Sequence, residues 1–298
     1  MPSIPERLRG SPLLIFSSFM FAVMAFCART VAGRLSVGQV VCARFAIGLV
    51  FLALYFPLTG TRPRMGRPGL WALRGIFGGG SVYFYFVAID RLAVGPATLL
   101  NNCWPICAAI LGIFILGEQV NGYLATGLMA TTVGAGLVIW STVQGGLALT
   151  SGVGAWAGAF SAVLSGAAVI TLRALRGDTD SASIFLSFCF FGLLFGLPFA
   201  VQDWRPLSAD MVLPLLGVGL ASVVAQMFFT YAMGYVTAAA GGISNQLTPA
   251  FSWLLGALFL GEPIQPLSVV GSLVCMGGVL WGTGLVPRLL SPASRPSP

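Results

Sequence analysis

The sequence predicts an all-α polytopic membrane protein, with ten transmembrane helices arranged as two inverted five-helix repeats. Three observations predict this fold: the composition, the number of apolar runs and an internal duplication. Of the 298 residues, 57% are hydrophobic and only 8% are charged, and the mean hydropathy is +0.93. Soluble domains carry about 25% charged residues, so this composition indicates a chain embedded in lipid.

Ten apolar runs are each long enough to cross a bilayer as a helix. A hydrocarbon core about 30 Å thick requires roughly 17 to 25 helical residues. The runs are continuously apolar, whereas the strands of a membrane barrel alternate apolar and polar residues over about ten positions. We expect the spans at approximately 12–32, 37–57, 69–89, 94–117, 121–141, 152–172, 182–201, 210–233, 238–261 and 265–286.

The fifteen basic residues, all of them arginine, predict the orientation. With a cytoplasmic N-terminus, nine arginines fall in cytoplasmic segments and four in outer loops, while Arg44 and Arg74 lie inside spans. Cytoplasmic loops are enriched in positive charge, so we expect both termini in the cytoplasm. The first run also resembles a cleavable signal, but its length and the even number of spans favour a mature helix.

The internal duplication divides the chain into two repeats. At an offset of 144 residues, "NNCWPICAAILGIFILGE" (101–118) aligns with "NQLTPAFSWLLGALFLGE" (245–262), and further upstream Phe84 aligns with Phe228. We assign 1–146 to the first repeat and 147–298 to the second, together forming one transmembrane domain. Because each repeat has an odd number of spans, the second must enter the membrane from the opposite side. Inverted repeats with a site at the midplane are typical of secondary transporters.

The spans lack the side chains that membrane enzymes and proton relays require. Histidine is absent, and all eight carboxylates fall at predicted helix ends or in loops. We therefore expect no catalytic residue, no metal site and no cofactor. The arginines are scattered over helix ends rather than clustered on one face, so we expect no nucleic-acid partner.

Prolines at matching places in the two repeats mark the predicted substrate path. Proline loosens the helix around it, and a broken helix at membrane depth is tolerated where protein or a water-filled cavity covers it. The alternative is that the nearby amides only bond neighbouring helices. The predicted substrate-binding residues here are Asn101, Asn102, Trp104 and Pro105 in the fourth span, and Asn245, Gln246, Thr248 and Pro249 in the ninth.

Further aromatic and polar residues are candidates for the same cavity, because small-molecule sites combine apolar walls with a few polar groups. These candidates are Tyr83, Tyr85, Gln226, Thr230 and Trp156. For each aromatic side chain, a position facing the lipid is the alternative.

Two arginines inside spans need an explanation. Arg44 lies about 10 Å into the second span at about 1.5 Å per residue, and such a charge needs a partner. We expect a structural ion pair between Arg44 and Asp90, with a contact to a substrate carboxylate as the alternative. Arg74 lies nearer the cytoplasmic end of the third span, where its side chain can snorkel to the surface.

These features together resemble the EamA branch of the drug/metabolite transporter superfamily. The resemblance rests on the ten spans, the five-helix duplication, "ARFAIGLVF" in the second span and "LGE" at the ends of the fourth and ninth, and it covers nearly the whole chain. "NNCWP" (101–105) with "LTPAFS" (247–252) resembles the YddG-type exporters of that branch, which carry aromatic amino acids outward across the bacterial inner membrane. This resemblance implies a cavity between the third, fourth, eighth and ninth spans.

We therefore expect a multi-pass protein of the bacterial inner membrane that exports neutral, aromatic amino acids or related small metabolites by alternating access. Its expected partners are the lipid bilayer and a small-molecule solute, and the oligomeric state is left open. A broad drug or cation extruder is the alternative within transport. A membrane interaction protein without transport activity is the alternative from another class.

Overall fold

The computed structural model describes residues 6–116, 122–144, 148–232, 245 and 247–282, and within them the regular structure is entirely helical. Among these described residues, six helices are long and apolar enough to cross a membrane. The number of ten spans is therefore confirmed only in part. The helices are α1 (Glu6–Thr30), α2 (Val37–Thr59), α3 (Pro68–Arg91), α4 (Val94–Asn101), α5 (Trp104–Leu116), α6 (Gly122–Gln144), α7 (Ala148–Leu175), α8 (Ser181–Gln202), α9 (Ala209–Ala232), α10 (Leu247–Leu260) and α11 (Pro266–Gly282).

The duplication recurs in how the second helix of each repeat begins. Ser36 caps α2 by accepting a hydrogen bond from the backbone N–H of Gln39. Asp180, 144 residues later, caps α8 in the same way through the N–H of Ser183 at 2.9 Å. A side-chain oxygen at this position satisfies one of the orphan N–H groups of the first turn.

Contacts between helices repeat at the same offset. Phe16 of α1 packs edge-on against Phe228 of α9, with ring centroids 5.2 Å apart. The equivalent pair, Phe84 of α3 and Phe160 of α7, packs edge-on at 4.8 Å. Between α2 and α8, Gly48 lies against Cys189 and the equivalent Gly192 against Phe45, so each glycine makes room for the facing helix. Such reciprocal contacts are produced by a two-fold relation between the repeats.

Equivalent helices of the two repeats run in opposite directions. α1 ends where Arg29 meets Glu262, and we call this the Glu262 end of the bundle. Its counterpart α7 ends at the opposite side, where Arg67 pairs with Asp178, and we call this the Asp178 end. Likewise α3 ends at the Glu262 end, where Asp90 accepts a hydrogen bond from the N–H of Gly33. Its counterpart α9 begins there, with Asp210 paired to Arg34.

At the Glu262 end, one carboxylate ties four helices together. Glu262, just after α10, pairs through Oε1 with Nε of Arg29 at 2.9 Å, and through Oε2 accepts the N–H of Val94 at 2.9 Å. Arg29 also donates to the carbonyl of Ile89 in α3. Because Val94 is the first residue of α4, Glu262 caps that helix. Glu118, the equivalent glutamate of the first repeat, lies outside the described residues.

Candidate cavity between the two repeats

A cavity of about 110 Å³ lies among helices of both repeats. It is smaller than the roughly 300–1,000 Å³ of sites for drug-sized ligands, so a larger solute requires side chains or helices to move apart. Its described lining consists of Phe21, Met24, Arg44, Arg74, Gly78, Ser81, Val82, Tyr85, Asn101, Asn102, Trp104, Ser165, Ala168, Val169, Leu172, Phe188, Gln226, Phe229, Asn245 and Thr248.

A break in the fourth predicted span brings three predicted residues to the cavity. α4 ends at Asn101, a turn covers Asn102 and Cys103, and α5 starts at Trp104. Pro105 has no N–H to donate to the carbonyl four residues earlier, so the helix cannot continue through this point unbroken. The loosening predicted around Pro105 is therefore confirmed. The matching prediction for the chain before Pro249 falls partly on residues outside those described.

The amides of the two repeats meet at the cavity wall. Nδ2 of Asn245 donates to Oδ1 of Asn102 at 2.7 Å, and Thr248 donates to Oδ1 of Asn245 at 3.3 Å. On the other side Nδ2 of Asn101 donates to Oγ of Ser161 in α7 at 2.9 Å. The amides thus bond neighbouring helices and line the cavity at once.

Aromatic and polar side chains complete the wall. The buried indole of Trp104 packs edge-on against Phe229, with centroids 6.4 Å apart. The hydroxyl groups of Tyr85 and Thr98 are hydrogen-bonded to each other at 2.8 Å. Gln226 lines the cavity and donates to Oγ1 of the buried Thr230, which lies behind it.

Some of the predicted residues that the structure describes do not line the cavity. Pro105 and Pro249 are buried in their helices but are not part of its lining. Gln246 lies outside the described residues, and its place in the cavity stays a prediction. Trp156 is 80% exposed on the outer face of α7, so its predicted place in the cavity is wrong. An indole on that face is suited to contact with lipid.

The predicted place of Tyr83 in the cavity is also wrong. It stacks on Phe199 with centroids 4.2 Å apart and lines a separate pocket near Asp90 and Arg205. Successive helical residues turn by about 100°, so Tyr83 and Tyr85 point to nearly opposite sides of α3 and only one of them can reach the cavity.

The predicted ion pair between Arg44 and Asp90 is not formed. Arg44 is 3% exposed, lines the cavity and donates from Nε to Oγ of Ser222 at 2.6 Å. Asp90 instead pairs with Arg91 at 3.2 Å and accepts the N–H of Gly33. The arginine points into the bundle, whereas the carboxylate at the end of α3 faces the connecting loops.

Arg74 is the main functional candidate that sequence reasoning missed. It is 5% exposed, lines the cavity, and its Cζ lies 4.5 Å from the ring centroid of Phe188, so it does not snorkel to the surface. One signal was available: Arg74, Gly78, Ser81 and Tyr85 follow helical spacing, and all four line the cavity. This spacing marks one face of α3 that carries small and polar groups.

Comparison with known proteins gives the family. The profile of the EamA-like transporter family matches residues 8–140 and 152–283, one match for each repeat. The chain belongs to the EamA-like transporter family. It is a membrane exporter of the drug/metabolite transporter type, and not an enzyme.

Two curated relatives of this EamA protein are named as exporters. The pseudopaline exporter CntI of Pseudomonas aeruginosa is 25% identical over 267 residues, covering 89% of this chain and 92% of the relative. A probable terminal-alkyne amino-acid exporter of Streptantibioticus cattleyicolor is 25% identical over 248 residues, covering 80% and 81%. A solved crystal structure shares the fold, with a TM-score of 0.66 and 20% identity over 94% of this chain and 99% of the other.

Proposed function

We propose that this EamA protein exports amino acids or related small metabolites across the bacterial inner membrane by alternating access. One observation carries the proposal: a cavity lined by both repeats, where the amides of Asn102 and Asn245 join the two halves. When a site lies between two oppositely directed repeats, a small movement of one repeat against the other can open that site to either side of the membrane. The two relatives named as exporters, one of them for an amino acid, support the same substrate class.

We assign the architecture as ten spans in two inverted repeats, 1–146 and 147–298, with both termini in the cytoplasm. The opposite directions of α1 and α7, and of α3 and α9, support the inversion. The orientation is supported by the nine arginines that it places in cytoplasmic segments against four in outer loops. With this orientation the Asp178 end faces the cytoplasm and the Glu262 end faces outward.

The aromatic walls support a solute with an apolar or aromatic part. Trp104, Phe188 and Phe229 line one cavity together with the amides, so a ring can pack while polar atoms bond to amide groups. Asn101, Asn102 and Asn245 are the residues that we assign to the polar part of the solute.

A broad extruder of cationic drugs is disfavoured by the charge of the cavity. Two arginines line it, and no aspartate or glutamate does so within the part of the chain that the structure describes. Two fixed positive charges repel a cation at short range in a medium of low dielectric constant.

Counterflow in proteoliposomes tests the proposal. Vesicles loaded with unlabelled phenylalanine should transiently accumulate labelled phenylalanine, and Trp104→Ala should lower this accumulation about tenfold if the indole is a wall of the site. Trp156→Ala, at an exposed tryptophan on the outer face, is the matched control and should behave like the unmodified chain. Equal activity of all three proteins would remove Trp104 from the site.

A further inference from the structure

We propose that Arg44 and Arg74 form a clamp for two carboxylates, so that the preferred solute is an amino-acid-derived metabolite carrying at least two of them. The inference rests on the proposed function and narrows its substrate class. It replaces the expectation of a neutral amino acid, because two arginines line the cavity.

Both arginines are buried and keep unused hydrogen-bond donors. Nη1 of Arg44 and Nε of Arg74 have no hydrogen-bond partner among the described residues and are shielded from the surface. A guanidinium has five N–H donors, and Arg44 uses one of them on the neutral hydroxyl of Ser222. Donors left without acceptors at membrane depth are costly, and a bound ligand is the natural source of acceptors.

No carboxylate of the described chain neutralises these charges. Each described acidic side chain is engaged at an end of the bundle, away from both arginines. These contacts are Asp90 with Arg91, Asp178 with Arg67, Asp180 with Ser183, Asp203 with Arg205, Asp210 with Arg34 and Glu262 with Arg29.

Aromatic rings compensate the two charges only in part. The Cζ atoms of Arg44 and Arg74 lie 5.2 Å and 4.5 Å from the centroid of the same ring, Phe188. The attraction of a cation to an aromatic face is weaker than the cost of burying an arginine in a membrane helix. Two like charges beside one ring also repel each other. An anionic ligand would reduce both this repulsion and the cost of burying the two charges.

The shared ring sets the geometry of the clamp. Because both guanidinium groups lie close to Phe188, two carboxylates of one small solute can reach them together. A carboxylate matches the fork of a guanidinium through two parallel hydrogen bonds. A neutral amino acid has one carboxylate and would leave the second arginine unmatched.

The two repeats differ at these positions. The residues 144 positions after Arg44 and Arg74 are Phe188 and Val218, so both cations come from the first repeat. The helix contacts described above recur between the repeats, whereas the two arginines do not. A cavity with charges from only one repeat suits a ligand whose two ends differ.

Matched pairs of solutes test the clamp by binding and by transport. L-glutamate and L-glutamine differ by one carboxylate, as do N-benzoyl-L-glutamate and N-benzoyl-L-glutamine, whose ring suits the aromatic wall. Purified protein in detergent should be stabilised against heat by the acid of at least one pair at concentrations about tenfold below those of its amide. In counterflow the same acid should be preferred by a similar factor.

Arginine variants provide a second test of the clamp. Arg44→Gln and Arg74→Gln should each reduce the preference for the acid about tenfold, while Arg67→Gln, at an exposed arginine of the Asp178 end, should leave it unchanged. Without solute, the Arg44→Gln/Arg74→Gln double variant should unfold at a higher temperature than the unmodified chain, because two uncompensated buried charges are removed. A purely structural role predicts the reverse.

The outcomes separate the two proposals. Stabilisation or counterflow that is equal for acid and amide in both pairs, and unaffected by the arginine variants, overturns the clamp but leaves export of amino acids standing. Stabilisation by the acids without exchange of any solute supports the clamp and contradicts the proposed function. No stabilisation by any of the four solutes, together with a less stable double variant, overturns the clamp.

Discussion

At the scale of single residues, the contact that joins the two repeats is the bond between Asn245 and Asn102. Asn245→Ala removes this 2.7 Å bond. Hydrogen bonds between membrane helices average about 0.6 kcal/mol, so the unfolding temperature in detergent should fall by only a few degrees. Counterflow should fall about tenfold or more, because the lost amide is also a wall of the site. Counterflow at the unmodified rate would show that the amide serves helix packing alone.

Gly78 controls the position of Arg74 without altering any charge. A Cβ at Gly78 would collide with Nη1 of Arg74 and with the ring of Phe188. Gly78→Ala should therefore raise the solute concentration needed for half-maximal counterflow several-fold, by displacing the guanidinium. Gly136→Ala in α6, where an added Cβ meets nothing within 4 Å, is the matched control and should be neutral or slightly stabilising. An equal effect of the two changes would contradict the role given to Arg74.

The residues that could be predicted from the sequence are those with a local signal. Pro105 lacks an N–H, so a break near Asn102 follows from the chain alone. Which face of a helix meets which neighbour is a tertiary property. For that reason the sequence alone does not show that Tyr83 and Trp156 point away from the cavity, or that Arg74 lines it.

At the scale of helices, Glu262 performs two tasks that substitutions can separate. Its Oε1 pairs with Arg29 and its Oε2 caps the first N–H of α4. Glu262→Gln keeps an oxygen for the cap and loses the charge, whereas Glu262→Ala loses both. Because a helix cap contributes about 1 kcal/mol, the unfolding temperature should fall in the order unmodified, Gln, Ala. Equal unfolding temperatures for the two variants would show that the cap contributes nothing.

The duplication predicts a second contact of the same kind at the Asp178 end. The residues related by 144 positions to Arg29 and Glu262 are Arg173 and Glu118, and Glu118 lies outside the described residues. We expect these two side chains to attract each other as Arg29 and Glu262 do. Glu118→Arg and Arg173→Glu should each impair counterflow, and the double exchange should restore a substantial part of it. Additive losses in the double variant would argue against the pair.

The helix pattern was more predictable than the helix count. Apolar runs place the six long spans that the structure describes, since length and hydropathy alone define them. The fourth run became two short helices, α4 and α5, because a proline interrupts it. The caps at Ser36 and Asp180 show that the duplication extends to helix ends where the residue types differ.

At the scale of the whole molecule, the two ends of the bundle are joined by different sets of helices. Glu262 and Arg29 link α1, α3, α4 and α10 at one end. At the other end Arg67 pairs with Asp178, and Nε1 of Trp71 donates to the carbonyl of Ser183, which links α3, α7 and α8. Opening one set while the other holds would expose the shared cavity to one side at a time, as alternating access requires.

Labelling of a single cysteine in the cavity tests this account most directly. Ser165 lines the cavity, and Ser165→Cys in a chain without its six native cysteines places one thiol there at nearly constant volume. A membrane-impermeant thiol reagent should label it in inside-out and in right-side-out vesicles, and bound solute should slow both reactions. A chain that keeps only Cys189, which is fully buried between α2 and α8, should be labelled from neither side. Labelling of Ser165→Cys from one side only, whatever solute is present, would contradict alternating access through this cavity.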